Sequence, residues 1–418
     1  MVTRNTDAGR TTRQAAAALL GLLALSGCTL APSLLKPAVP LPSSFKRSGP
    51  WRTATPRDEA KRGSWWSSFG DARLASLMKQ AEANNPTLEL AMHRVTEAQA
   101  LARADRANLF PFLTLNSSAQ RSRGSGNLEF QFAGGRTRTI LGTGLDLSYE
   151  LDFWGRLRNQ SMAGKERAGA AEANRQTALL GLQSELAMNY FALRTQDAQI
   201  ALLRRTVELR RKTVSLARTR FQQGDIAQVD VAQAETDLNA TEAEAIGLER
   251  TRMELEHAIA LLMGTTPSQF NQPEHAISGQ PPSVPKSVPS DLLERRPDIA
   301  SAERQMAALN AEIGVAKAAM FPSVTIGLTG GTQTSYPWKI ADAASRVWGL
   351  GPAGVEWPLL RGGGVKAGIA ASQARYDKEH SEYVIQEKEH KKQKQVRKKS
   401  TQRLITPHPR LQHTAPHT

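Results

Sequence analysis

Between Leu179 and Phe221 an apolar residue stands at every seventh position: Leu179, Leu186, Leu193, Ile200, Val207, Val214 and Phe221. A strict seven-residue period predicts a helix with a coiled-coil seam and polar outer faces. No proline falls between Arg158 and Gln222, so one helix of roughly 100 Å is expected at about 1.5 Å per residue. Gly224 and Asp225 interrupt the pattern. Helical spacing resumes from Val229 to about Met263, with Leu248, Leu255 and Leu262 again seven apart. So short a break predicts an antiparallel helical hairpin with its tip near Gly224.

A second pattern repeats at a distance. The helix opened by Asn85-Pro86 and closed by Phe110-Pro111 matches one closed by Phe321-Pro322, at a constant offset of 211 residues. Pro86 matches Pro297, Ala91 matches Ala302 and Ala100 matches Ala311. Similarity at a fixed offset signals internal duplication of one helix–strand unit. After each closing proline the period changes to two. Val324, Ile326 and Leu328 alternate with Ser323, Thr325, Gly327 and Thr329; Leu113 and Leu115 alternate with Thr114 and Asn116. Gly- and polar-rich loops follow at Gln120–Arg138 and Gly330–Arg346, and a return strand follows each. In the first return strand Leu141, Leu145, Leu147 and Tyr149 fall on one face, against Gly142, Gly144, Asp146 and Ser148 on the other. An apolar face opposite a small or polar one over nine or ten residues fits a transmembrane β-strand, lipid outside and water inside. A strand of a soluble sandwich has the same alternation, and periodicity alone does not separate the two.

The N-terminus tips the balance. Arg4, Arg10 and Arg13 precede an apolar run, Ala15–Leu25, too short to span a membrane as a mature helix. Leu25-Ser26-Gly27-Cys28 follows and resembles the bacterial lipobox, with the chain's single cysteine where acylation requires it. Residues 1–27 are therefore expected to be a lipoprotein signal peptide and Cys28 the lipidation site. Residues 28–64, rich in Pro, Ser and basic side chains, are expected to form a tether. Thr29 rather than Asp after the cysteine implies passage to the outer membrane of a Gram-negative cell, an address that favours the barrel reading. The net charge of +15 is deceptive, since nine Lys/Arg against two Asp/Glu lie beyond Tyr383. The remaining body is mildly basic without aromatic–basic interleaving, which argues against a nucleic-acid partner. Trp65, Trp66 and Phe69 read as packing anchors.

Catalytic chemistry finds no constellation. Five of the eight histidines lie at or beyond His380, and no HExxH, GxSxG or phosphate-binding loop occurs. No enzyme activity, cofactor or metal site is expected. The Glu150 and Asp152 pair stands where a strand meets a helix and reads as structural.

These residues resemble the TolC/OprM-type outer-membrane factors, in the lipoprotein branch that serves resistance-nodulation-division tripartite pumps. The resemblance runs from about Trp65 to Tyr383. It rests on Trp65-Trp66-x-x-Phe69-x-Asp71, Asn85-Pro86-x-Leu88, Ser148–Arg156 (SYELDFWGR), Leu292–Ile299 (LLERRPDI) and Arg220-x-x-x-Gly224. It implies a mostly α fold with a membrane β-barrel. Four strands per chain close a trimeric twelve-stranded barrel, above a long periplasmic helical barrel. Residues 65–290 form the first repeat, whose stretch 264–290 belongs to an equatorial girdle, and 291–383 form the second. The implied role is a passive exit duct whose partners are a periplasmic adaptor protein, an inner-membrane efflux transporter and outer-membrane lipid. The adaptor is expected at Arg220, Gln223, Gly224 and Asp225, and lipid at Leu141, Leu145, Leu147, Tyr149, Val324, Ile326 and Leu328. One departure stands out. Residues 384–418 are Lys- and His-rich and lack a heptad, so the final hairpin is expected to be missing, as in a truncated or frameshifted member that would leak or fail to assemble, the alternative being a genuine variant with a short basic tail. The competing reading is a lipid-anchored periplasmic coiled-coil structural or adaptor protein.

Overall fold

The computed structural model describes residues 29–33, 63–124, 137–276, 282 and 296–405, the side chains of residues 352 and 386–405 excepted. The signal peptide, Cys28, most of the tether, residues 125–136 and the Leu292–Arg295 part of the second-repeat motif lie outside the described residues. A 3-10 turn at Trp65–Phe69 leads into α1 (Ala72–Asn84) and α2 (Pro86–Ala107). Strands β1 (Phe112–Arg123) and β2 (Thr137–Leu151) follow, then α3 (Arg156–Gln222) and α4 (Gln228–Leu262). The second half holds α5 (Pro297–Ala318), β3 (Ser323–Thr334), β4 (Arg346–Glu356) and α6 (Gly364–Ile405). Adding 211 to the bounds of α2 gives those of α5, and the same shift carries β1 onto β3. No described helix is long and apolar enough to cross a membrane.

The start of α2 follows from local chemistry. The Asn85 side chain accepts the Leu88 N–H at 3.0 Å, and Pro86 occupies the first helical position, where its missing N–H is not needed. The described residues fall into two compact units: one within Thr96–Ala170 and Ser301–Thr418 together with residues 29–33, the other within Ser44–Val95 and Ala171–Ala300.

The first unit carries the sheet, in the order β1-β2-β3-β4, every neighbouring pair antiparallel. Where β2 hands over to α3, Asp152 accepts the N–H groups of Leu157 at 3.1 Å and Arg158 at 2.9 Å, capping the helix. Glu150 holds Arg156 through both oxygens, at 2.9 and 2.6 Å. The pair is structural, as the sequence suggested. Trp154 stacks on Phe321 with ring centroids 4.5 Å apart, and its indole N–H reaches the Pro322 carbonyl at 2.8 Å. The exit of the first strand pair is thereby tied to the entry of the second.

The second unit holds the hydrophobic core. Leu74, Leu77, Met78 and Ala81 of α1 pack with Leu186, Tyr190 and Leu193 of α3 and Ile259 of α4, under Trp66. The aromatic trio is indeed an anchor: Trp65 meets Trp66 edge to face and donates to Gln183 at 3.1 Å, while Phe69 packs on Phe191. Along α3 the seven-residue seam is buried at Leu186, Leu193, Ile200, Val207 and Val214, and opens at Phe221 near the tip. The α4 stripe is displaced. Leu248, Leu255 and Leu262 are half-buried, while Ile259 and Ala260 are fully buried. At its base α4 joins a core that α1 and the α3 seam both supply, and Ile259 rather than the leucines at sevens is buried deepest in it. Three ion pairs fix the hairpin register: Arg204–Glu249 at 3.0 Å, Arg211–Glu242 at 2.9 Å and Arg218–Glu235 at 2.6 Å. Each step advances seven residues on α3 and retreats seven on α4.

Candidate functional site

The sheet has two unlike faces because directly opposed residues of antiparallel strands project to the same side. Leu147 opposes Leu113 on β1 and Leu328 on β3; Leu145 opposes Leu115; Tyr149 opposes Ile326; Val324 opposes Leu151. With Leu141, all seven residues expected to face lipid therefore lie on one face. The opposite face carries Thr114 and Asn116 against Asp146 and Gly144, with Asn116 donating to Asp146 at 2.5 Å. The apolar face is open: Leu115 is 70%, Leu350 79% and Trp348 83% exposed. Residues of β4 were missed on sequence, and the reason is geometric. Between Leu350 and Ala353, opposite Ile326 and Leu328, β4 holds one extra residue at Gly351, whose φ is +125°. The bulge shifts the alternation by one, so Trp348 and Leu350 share their face with Ala353 and Val355.

The hairpin tip is closed by its backbone. The Gly224 N–H donates to the Phe221 carbonyl at 3.0 Å and the Asp225 N–H to the Arg220 carbonyl at 2.9 Å. With Gly224 at φ +84° this is a Schellman ending, which requires a left-handed residue after the helix. The Asp230 carboxylate then accepts the Ala227 N–H at 3.0 Å and starts α4. Arg220, Gln223, Gly224 and Asp225 are brought together within this turn, and all are exposed.

A buried polar cluster also went unread. Asp197 accepts from Arg252 Nε at 2.7 Å and from the His275 N–H at 2.9 Å. Arg252 also donates to Glu256 at 2.9 Å and to the Gln272 carbonyl at 2.6 Å; Arg194 reaches the Pro273 carbonyl at 3.0 Å. Burial works against the Arg252 charge, but Asp197 and Glu256 outweigh it and hold the guanidinium protonated. The cluster clamps residues 272–275 onto α3 and α4. Its sequence signal was a Gln196-Asp197 pair at the second core position of a heptad whose first position is apolar. Among the described residues no group of three or more His, Cys, Asp or Glu could hold a metal ion.

Comparison with known proteins agrees with this geometry. Nodulation protein T of Rhizobium leguminosarum bv. trifolii is 30% identical over 356 residues, covering 84% of this chain and 74% of that protein. The cation efflux system protein CusC of Escherichia coli O6:H1 is 30% identical over 354 residues, covering 84% and 75%. The solved outer-membrane channel OprN superposes with a TM-score of 0.76 at 28% identity, over 86% of this chain and 80% of that one. A model of the outer membrane efflux protein family matches residues 77–265 and 288–402, reaching past Tyr383, where the sequence resemblance had ended. Both halves of the duplication lie within the matched region, and the chain belongs to the outer membrane efflux protein family.

Proposed function

We propose that this outer-membrane efflux protein is one of three identical chains of a passive exit duct. The observation that carries the reading is the sheet. An exposed apolar face of four strands backs onto a polar one, and β1 and β4 are its two outer strands. Bare strand edges in a bilayer would leave backbone polar groups without partners, and only closure removes them. Three four-stranded sheets joined edge to edge make a twelve-stranded barrel, apolar outside and polar within. The hairpin supplies a second unpartnered surface: Leu202, Leu209 and Leu216 repeat at sevens on α3 and are all more than half exposed. A helix of a neighbouring chain would cover them.

Cys28 carries the lipid anchor, and the exposed turn at Arg220, Gln223, Gly224 and Asp225 docks a periplasmic adaptor bound to an inner-membrane transporter. The duct itself performs no chemistry. The test is a strain that keeps its pump and adaptor but lacks this chain, loaded with a fluorescent pump substrate. Restoring the chain should lower intracellular dye, and Leu147→Arg should not. Dye unaffected by wild-type chain correctly placed in the outer membrane would refute the reading.

A further inference from the structure

The short segment after Cys28 does not hang free. The Thr29 hydroxyl donates to the Asn159 side-chain oxygen at 3.0 Å, and the Asn310 amide donates to the Pro32 carbonyl at 2.8 Å. Between these two bonds the backbone passes over Gly314. A Cβ added to Gly314 would lie 2.9 Å from the Ala31 nitrogen and 2.5 Å from Asn159 Nδ2. Glycine is the poorest helix former after proline, and at Gly314, unlike Gly181 or Gly247, the missing side chain is what lets another backbone pass. Asn159 and Asn310 are themselves buried. Asn159 Nδ2 has no partner among the described residues, which leaves a buried donor open beside Thr29.

The duplication supplies an internal control. At the offset of 211, Gly314 corresponds to Arg103 and Asn310 to Gln99. The first copy of the helix thus carries a long cationic side chain where the second has none. The two copies differ at most aligned positions, and this pair is one of them.

Direction matters too. Helix α5 runs toward β3, with Gly314 nearer its end than Asn310, and Asn159 lies in the first turns of α3 after β2. Pro32 is held by Asn310, Ala31 passes Gly314 and Thr29 is held by Asn159. The segment therefore approaches the sheet at its Thr29 end, the end that carries Cys28 in the chain.

We propose that Asn159, Asn310 and Gly314 form a seat for residues 29–32, which sets the acyl group of Cys28 beside the end of β2, where the lipid-facing strands begin. The acyl group rests on the lipid-anchor reading above; the seat does not. Seated this way, the anchor reaches the lipid that covers Leu147 and Tyr149 rather than trailing on a loose tether.

The test uses the full chain in outer membranes. A Thr29→Cys, Asn159→Cys pair is oxidised, and acylation of Cys28 is read separately from the mass of the N-terminal peptide. The pair should cross-link about ten-fold more than the same pair carrying Gly314→Arg, because a disulfide needs both residues in place. Gly314→Ala adds only a methyl and favours the helix, so a several-fold loss of cross-linking there cannot be attributed to unfolding. Arg103→Gly, at the matching place in the first repeat, should change nothing. No cross-link, or one that survives both Gly314 substitutions, overturns the seat. An unmodified Cys28 with the cross-link intact overturns the lipid anchor alone.

Discussion

Asp71 performs two tasks with one carboxylate. One oxygen accepts the Leu74 N–H at 2.9 Å and caps α1; the other accepts the hydroxyl of buried Tyr190 at 2.6 Å. Burial alone would raise its pKa, but the Tyr190 hydroxyl, the Leu74 and Arg73 N–H groups and the Arg194 charge together bring it below the ordinary carboxylate value. A carboxylate depressed on folding adds stability that is present above its unfolded pKa, near 3.9, and is lost as pH falls through the lower folded value. Asp71→Asn should therefore lower stability above about pH 4, where the carboxylate contributes, and flatten the acid limb of a stability–pH curve below it, as followed by thermal melting. Tyr190→Phe should cost about 1 kcal/mol at neutral pH. Asp197→Ala should cost more, about 2–3 kcal/mol, because buried Arg252 keeps Glu256 but it and the His275 N–H lose a charged acceptor; protease cleavage near His275 should rise with it. The Asn85 cap was legible because it reaches only three residues along the chain. Asp197 was not, because its partners lie 55 and 78 residues away and only the tertiary fold brings them together.

The elements were legible wherever their period was regular. The α3 seam and the alternation in β2 and β3 follow from apolar residues at a fixed spacing, and the hairpin turn at Gly224 from the break in that spacing. The β4 face failed the same test because the Gly351 bulge breaks the count, and the α4 stripe shifted because α1, distant in sequence, shares its base. Two substitutions separate the faces of β2. Leu147→Arg should lower the heat stability of the membrane-extracted protein by about 2–4 kcal/mol, the cost of a cation in the lipid-facing band, while Ser148→Arg should change it little. Equal effects would mean that the sheet has no lipid side. The ion-pair ladder predicts a coupling. Arg211→Glu should loosen the hairpin slightly, and adding Glu242→Arg should restore most of the loss. Gly224→Val should cost about 1–2 kcal/mol, since a β-branched residue resists φ near +84°. It should also weaken export while leaving outer-membrane assembly intact.

For the whole molecule, the duplication sets the logic. Each repeat supplies a strand pair, and the two pairs join through β2 and β3 into one sheet, yet four strands enclose nothing. The sheet's outer edges and the Leu202, Leu209 and Leu216 stripe are surfaces that a single chain leaves open. In the proposed trimer identical neighbours would cover both, and no single chain should conduct. The most direct measurement is electrical conductance across a planar lipid bilayer after insertion of the protein extracted from outer membranes. The account predicts discrete, long-lived steps that need no nucleotide or ion gradient and disappear with Leu147→Arg. Protein shown to be inserted as a trimer that passes no current would contradict it.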